Sequence, residues 1–440
     1  MSRLLMVLAL LGASSAWASL PDVHGGSARS AGMVGTGVAS ANDGTAAYYN
    51  PAMLAFRRSA VLSVEVATGS SSADVRSLEV GRTVDDTYQQ SPAYMGGGLG
   101  LVLPFGGKLR DYLTFGLDFY TPAAGLLRAR SPDPSQPYLY MHHNTANRLI
   151  AAASLGIRVA DTVAVGLGAL MLADLDGAGA SVTLDALNRS LSFRDIDSGL
   201  YTKFAPIIGL SYEATPGLMI GLSYRGELDN LNHIPANIHL GELAVIGMDI
   251  SMRNHYTPHT LSAGVSYAID PGWTVVGEAI YGMWSRAPTP YTTIVVDVSG
   301  DLLDSIGLGA LLDMEARSLN PRFKDNLSLK LATEGQVSEW LVLRFGAGYR
   351  PTPVPQQNTL ETESFPTNIL DNDTLQFSAG VGFRFQDPIG ALELPLQFDI
   401  GAHLSTLLPR EAYKGPTDSN PSYRYSGIAG GARFALRYDY

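Results

Sequence analysis

Residues 374–385 read TLQFSAGVGFRF, and their alternation decides the fold class. Leu375, Phe377, Ala379, Val381, Phe383 and Phe385 fall on one face of an extended chain; Gln376, Ser378, Gly380, Gly382 and Arg384 fall on the other. Side chains of a strand alternate between its faces, so this is a strand with one apolar side and one polar or glycine side. The pattern recurs. Leu341, Leu343, Phe345, Ala347 and Tyr349 oppose Val342, Arg344, Gly346, Gly348 and Arg350. Leu113, Phe115, Leu117 and Phe119 oppose Thr114, Gly116, Asp118 and Tyr120, and Leu394 to Leu404 behaves alike. Such runs exceed the roughly five or six residues of a sandwich strand and approach the nine to eleven of a tilted membrane strand.

Working outward, fourteen segments qualify as strands: 60–71, 93–104, 113–120, 148–160, 163–173, 201–213, 218–228, 258–269, 273–284, 325–336, 341–350, 374–385, 394–405 and 426–440. Their connections alternate in length. Segments 72–92, 121–147, 174–200, 229–257, 285–324, 351–373 and 406–425 are long, whereas Asp161-Thr162, Ala214-Thr215-Pro216-Gly217 and Asp270-Pro271-Gly272 are tight turns. Long loops on one side and short turns on the other are the connectivity of an outer-membrane barrel. An even strand number returns both chain ends to the periplasmic side. The last strand carries Phe434, Leu436, Tyr438 and Tyr440 on one face, a C-terminal aromatic pattern suited to the barrel-assembly machinery. Pairing it with the first strand would remove both exposed edges. The expected fold is all-β, a transmembrane antiparallel β-barrel of about fourteen strands. One chain closes it, so a monomer is expected.

Composition agrees. The 440 residues include 47 glycines and 21 tyrosines, with 16% charged and no cysteine. Cysteine's absence excludes thiol chemistry and Cys-ligated metals, and suits an oxidising periplasm. A net charge of −11 argues against a nucleic-acid partner. Arg3, the apolar run Leu4–Gly12 and Ala16-Trp17-Ala18 read as a signal peptide over residues 1–18. No later stretch is long and apolar enough for a transmembrane helix. Residues 19–59, rich in small side chains, then precede a barrel over 60–440. A fourteen-strand lumen is wider than its own side chains fill, and Tyr48-Tyr49-Asn50-Pro51-Ala52-Met53-Leu54 is too apolar for a solvated tail. This segment is expected to be a lumenal hatch.

Catalytic patterns are weak. His142, His143, His233, His239, His255 and His259 are scattered over loops, with no metal-site spacing. Gly96-Gly97-Gly98-Leu99-Gly100 lies within a strand rather than before a helix, and no G-x-S-x-G occurs. Neither an enzyme, a metal nor a cofactor is expected.

Three places resemble the FadL/TodX family of outer-membrane transporters for long-chain fatty acids and aromatic hydrocarbons. They are Gly32 to Ala39 with Asn42-Asp43 and Tyr49-Asn50-Pro51-Ala52; Phe323-Lys324-Asp325-Asn326 with Trp340 to Tyr349; and Thr352-Pro353-Val354-Pro355 with Thr374 to Gly382. With matching topology, the resemblance extends over the mature chain. One departure is the long loop 285–324, whose Asp301 to Asp313 segment reads as a short amphipathic helix. The family's larger helix-bearing loops would fall near 174–200 and 229–257.

The resemblance implies capture of a hydrophobic small molecule by outer loops, transfer to a site against the hatch, and sideways release past lipopolysaccharide into outer-membrane lipid. A wall opening would need an irregular strand. Pro104, Gly106 and Gly107 are candidates, although a periplasmic turn explains them too. Alternation turns Arg148, Arg158, Lys330, Arg344, Arg384, Arg433 and Arg437 inward, with Glu65, Asp118, Glu227, Glu278 and Glu334. A carboxylate cargo would pair with one or two cations, Arg384 and Lys330 first, then Arg344 and Arg148. The same cations serve equally as ties between hatch and wall. Asn50, Pro51 and Ala52 are expected to steer the chain from hatch to first strand. A porin and a barrel scaffold for secretion or surface attachment are the alternative functions.

Overall fold

The computed structural model describes residues 26–78, 93–123, 138, 149–185, 190–239, 245–270, 272–299, 314–315, 321–356, 368–390, 392–413 and 422–440. The signal-peptide reading of 1–18, Arg148, His142, His143 and the helix expected at 301–313 lie outside them.

Among the described residues eighteen strands form one sheet, of which fourteen close a barrel. In ring order these are β1 (Val61–Ser77), β2 (Tyr94–Pro104), β3 (Leu113–Pro122), β4 (Ile150–Ala160), β5 (Val163–Asp185), β6 (Ser190–Thr215) and β7 (Leu218–Arg225). The ring continues through β10 (Thr260–Asp270), β11 (Trp273–Gly282), β14 (Asn326–Ser338), β15 (Leu341–Arg350), β16 (Thr374–Phe385), β17 (Leu396–Ala412) and β18 (Tyr423–Asp439). Antiparallel pairing of β1 with β18, from Val61↔Asp439 to Ser77↔Tyr423, completes it. Each of the fourteen expected segments corresponds to one ring strand.

Alternation sets the two faces. On β1, Leu62, Val64 and Val66 face out, whereas Ser63, Glu65 and Ala67 are buried inside. Leu167, Leu331, Phe345, Phe377 and Leu436 are also exposed. In water such a belt would cost roughly 25 cal/mol per Å² of apolar surface; against lipid tails it costs nothing. Tyr112, Tyr212, Tyr267, Trp273 and Trp340 gather at the short-turn end, and Tyr201, Tyr281 and Tyr349 at the other, as girdles at the two interfaces.

The long connections depart from the sequence reading. Segments 174–200, 229–257 and 285–324 are not plain loops. β5 and β6 continue as one tall hairpin paired to Asp185↔Ser190. Strands β8 (Leu228–His239), β9 (Val245–Thr257), β12 (Thr293–Ser299) and β13 (Met314–Glu315) form an added sheet. It joins the wall where β8 pairs in parallel with Ala180–Thr183 of β5. Pro235 hid β8, because proline within a run argues against a strand unless the run lies outside the central ladder. The candidate kink is a turn: Pro104 ends β2, and Gly106 and Gly107 belong to the connection to β3. The β2–β3 and β3–β4 ladders run without a register shift.

Candidate functional site: the N-terminal segment in the lumen

Residues 27–56 form a compact body whose hydrogen bonds are largely its own. Ser27 caps helix α1 (Ala28–Ala31): its hydroxyl accepts from Ser30 N at 3.2 Å, and Ser30 Oγ accepts from Ser27 N at 2.7 Å. Ser27 Oγ donates to Asp43 at 2.8 Å, and Asp43 also accepts from Thr45 N at 3.0 Å. Burial opposes ionisation of Asp43, but Arg437, Arg29 and the Thr45 and Ser27 hydroxyls prevail and hold its carboxyl below the usual range. After helix α2 (Ala46–Tyr49) the chain turns at Asn50, and Pro51 opens a 3-10 turn to Phe56, where its missing N–H costs nothing.

Asn50 is fully buried and joins the segment to the wall through three partners. Its Oδ1 accepts from Ala52 N at 3.1 Å; its Nδ2 donates to Val38 O at 2.7 Å and to Ser211 Oγ on β6 at 2.9 Å. Each such bond contributes about 1 kcal/mol net, and more is lost when a buried partner is orphaned. Asn50→Ala should therefore weaken seating of the segment by about 2–3 kcal/mol. Limited proteolysis after Arg29 and Arg57 in the folded barrel should become at least tenfold faster; an unchanged rate would refute the bridging role.

The wall admits this body because its inward positions are glycine where backbone meets backbone. Gly100, Gly116, Gly156, Gly166, Gly209 and Gly221 on six successive strands, then Gly264, Gly346, Gly380 and Gly401, each lie against the segment. A Cβ on Gly100 or Gly380 would sit 3.5 Å or 3.0 Å from Gly44 or Gly32, and one on Gly156 would meet Pro51 O at 2.7 Å. On Gly166, Gly221 and Gly401 it would overlap the backbone of Pro51–Ala52, Val38 and Ala28. Apart from Gly100, whose contact with Gly44 is ordinary, these approaches are tighter than real Cβ atoms make, so they are places where only glycine fits.

Charged inward residues tie the remaining sectors. Arg29 makes a two-pronged pair with Glu334, at 2.8 and 2.9 Å. Glu334 also accepts from Arg344 at 2.6 Å, and Arg344 reaches Asp399 at 2.6 Å. Glu278 accepts from the backbone N–H groups of Gly37 and Val38 at 2.9 and 3.0 Å. Arg437 donates to Asn42 and Asp439, Arg433 to Gly26 O, and Arg158 to Ala55 O.

The residues proposed from sequence are thus dispersed. Lys330 Nζ donates to Gly35 O at 3.2 Å. Arg344 is 1% exposed and held between two carboxylates. Arg384 stands exposed at the short-turn end of β16, donating to Gln397 at 3.1 Å. Glu227, read as lumenal, is half exposed at the rim beside His259 and Tyr256. Asn50, Pro51 and Ala52 lie at the contact with β5 and β6.

Sequence reasoning missed an apolar cluster toward the long-connection ends of β1–β6 and at the start of β8. Tyr94, Tyr120, Ile150, Leu170, Leu172, Ile207 and Leu228 turn inward and pack on Tyr48, with Tyr49 beside them. The Arg225 guanidinium covers the Tyr48 ring at 4.2 Å. Lumen faces of barrels are polar as a rule, so the exception is informative. The signal was present in Ile150, Leu170, Leu172 and Ile207, inward-phase positions occupied by aliphatic residues.

A closed fourteen-strand barrel, belted with apolar residues and holding its own N-terminal segment against the inner wall, is the architecture of an outer-membrane β-barrel. The comparisons make the class specific. The family model described as outer membrane protein transport protein (OMPP1/FadL/TodX) matches residues 9–391, and the chain belongs to that family. Its members are transport channels rather than enzymes. Comparison with curated protein sequences yields no match. Among solved structures, the barrel is similar to a Pseudomonas aeruginosa FadL homologue (TM-score 0.58, 15% identity, covering 97% of this chain and 99% of that one). It is also similar to the Ralstonia pickettii toluene transporter TbuX (0.54, 17%, 95% and 99%) and the Pseudomonas putida toluene transporter TodX (0.54, 16%, 95% and 99%).

Proposed function

We propose that this protein takes up hydrophobic small molecules passively across the outer membrane, with long-chain fatty acids as the first candidate cargo. Residues 19–59 act as the hatch, delivered after removal of a signal peptide at 1–18. The observation that carries the reading is the apolar cluster of aliphatic and aromatic side chains packed on Tyr48 of the seated segment. Aliphatic and aromatic side chains there attract cargo that a hydrated pore would not. Toluene is the second cargo to test, because two similar barrels are toluene transporters and Tyr48, Tyr94 and Tyr120 offer ring faces.

Release is sideways in this reading. The β1–β2 and β2–β3 ladders are regular as they stand, so release needs β2 to part locally. Gly96, Gly97 and Gly98, which make it thin where Tyr94 and Tyr120 adjoin the cluster, are where it would do so. A Cβ on Gly97 would meet nothing closer than 3.8 Å, so a larger residue fits there without disturbing the wall.

Uptake of radiolabelled oleate and toluene by cells expressing the barrel tests the proposal. Ile207→Lys places a charge in the cluster and should reduce uptake at least tenfold; Gly97→Leu should slow it severalfold with folding intact. Wild-type cells no faster than a strain lacking the protein would end the uptake reading. Strong steady conductance through the purified barrel would favour a porin instead.

A further inference from the structure

The N-terminal segment leaves space beneath it. A cavity of ≈ 380 Å³ lies at the short-turn end, bounded by the β10–β11 and β16–β17 connections. Five guanidiniums line it, Arg29 and Arg57 from the segment side and Arg344, Arg384 and Arg437 from the wall. Glu334 and Asp439 are the carboxylates in that lining, and Asp399 stands behind Arg344. With Asp43, whose charge acts on Arg29, Arg57 and Arg437, five cations stand against four carboxylates, which leaves one positive charge unbalanced among the described residues.

The pairing shows where the excess sits. Arg29 and Arg344 are matched by Glu334 and Asp399, and Arg437 by Asp439. Arg384 has no carboxylate partner among the described residues; its bond is to the neutral Gln397. Arg57 must share Asp439 with Arg437, at 3.1 Å, and its Nε is buried with no partner. Burial and the nearby Arg437 charge lower the Arg57 pKa by more than Asp439 and Asp43 raise it. Beside these cations Val342, Leu394 and Pro395 give the cavity an apolar edge.

We propose that this periplasmic cavity binds the oxyanion head of a small amphiphile, with Arg57 and Arg384 as the groups that hold it. Guanidinium forks match two-oxygen anions, whether carboxylate or phosphate. The apolar edge receives the first carbons of the chain. This site is separate from the apolar cluster on the far side of the segment, and rests on the uptake reading only for the origin of its amphiphile.

Calorimetric titration of the full-length barrel in non-ionic detergent tests it, with hexanoate, hexyl phosphate, hexanol and inorganic phosphate as probes. Hexanoate or hexyl phosphate should bind saturably and more weakly as salt rises. The variant Arg57→Gln/Arg384→Gln should bind at least tenfold more weakly. Arg384→Gln alone, at an exposed position, should lose part of that affinity while keeping the heat-modifiable gel mobility of a folded barrel. Hexanol binding as tightly as hexanoate, or hexanoate binding unchanged in the double variant, overturns the proposal. Inorganic phosphate binding as tightly as the amphiphiles overturns the amphiphile assignment. Toluene uptake by wild-type cells is measured alongside: its absence removes the transport reading and leaves the anion site standing.

Discussion

Gly221→Val/Gly401→Val should yield a barrel that inserts normally but conducts, because its N-terminal segment no longer seats. The two glycines stand on β7 and β17, in separate sectors of the ring, against Val38 and Ala28. A Cβ at either place overlaps backbone atoms of the segment, which cannot rotate away as a side chain can. The strands themselves should accept valine, since β-branched residues suit a pleated wall better than glycine. Destabilisation therefore falls on the junction rather than the barrel. An unplugged fourteen-strand lumen is wide enough for water and ions, so unitary conductance in planar bilayers should rise about tenfold or more over wild type. Protease access to Arg29 should rise with it. A variant that stays silent, with the segment still protected, would show that the wall yields instead.

That prediction depends on residues whose type was visible in the sequence but whose meaning was not. Gly116, Gly346 and Gly380 were assigned to the inner face by alternation alone, as were Arg344 and Lys330. Period-2 patterning is a local property, so faces and strand extents were readable. The hatch-to-wall contacts are not local: Gly32 meets Gly380, and Arg29 meets Glu334, more than 300 residues away. No periodicity encodes which inward glycine faces backbone and which faces open lumen. The cations illustrate the same limit. Alternation turned Arg344 and Arg384 inward equally, yet one is enclosed by Glu334 and Asp399 while the other stands at the open mouth. Depth along the barrel, set by where each strand starts, separates them. The added sheet of β8, β9 and β12 escaped for another reason, since Pro235 and the scarcity of turn signals made its strands look like loop.

Arg344→Met should destabilise the barrel-and-segment unit by about 3–5 kcal/mol, the usual cost of breaking a buried pair by removing one partner. Arg344 is 1% exposed, and its loss strips Asp399 of its guanidinium and leaves Glu334 with Arg29 alone. Asp399 keeps the Gln397 amide at 2.9 Å, which is too little for a buried carboxylate. Arg344→Lys should restore little, because one ammonium cannot reproduce bonds from two different guanidinium nitrogens to two different carboxylates. Adding Asp399→Asn to Arg344→Met removes the one orphaned charge while Glu334 stays paired with Arg29, and should recover much of the loss. Urea unfolding followed by gel mobility reads all three variants. The same experiment decides between the two roles open to this arginine. A tie between segment and wall gives a large stability loss, relieved by Asp399→Asn. A residue kept for cargo carboxylates would instead leave stability nearly unchanged while oleate binding falls, and that outcome would return Arg344 to the ligand site.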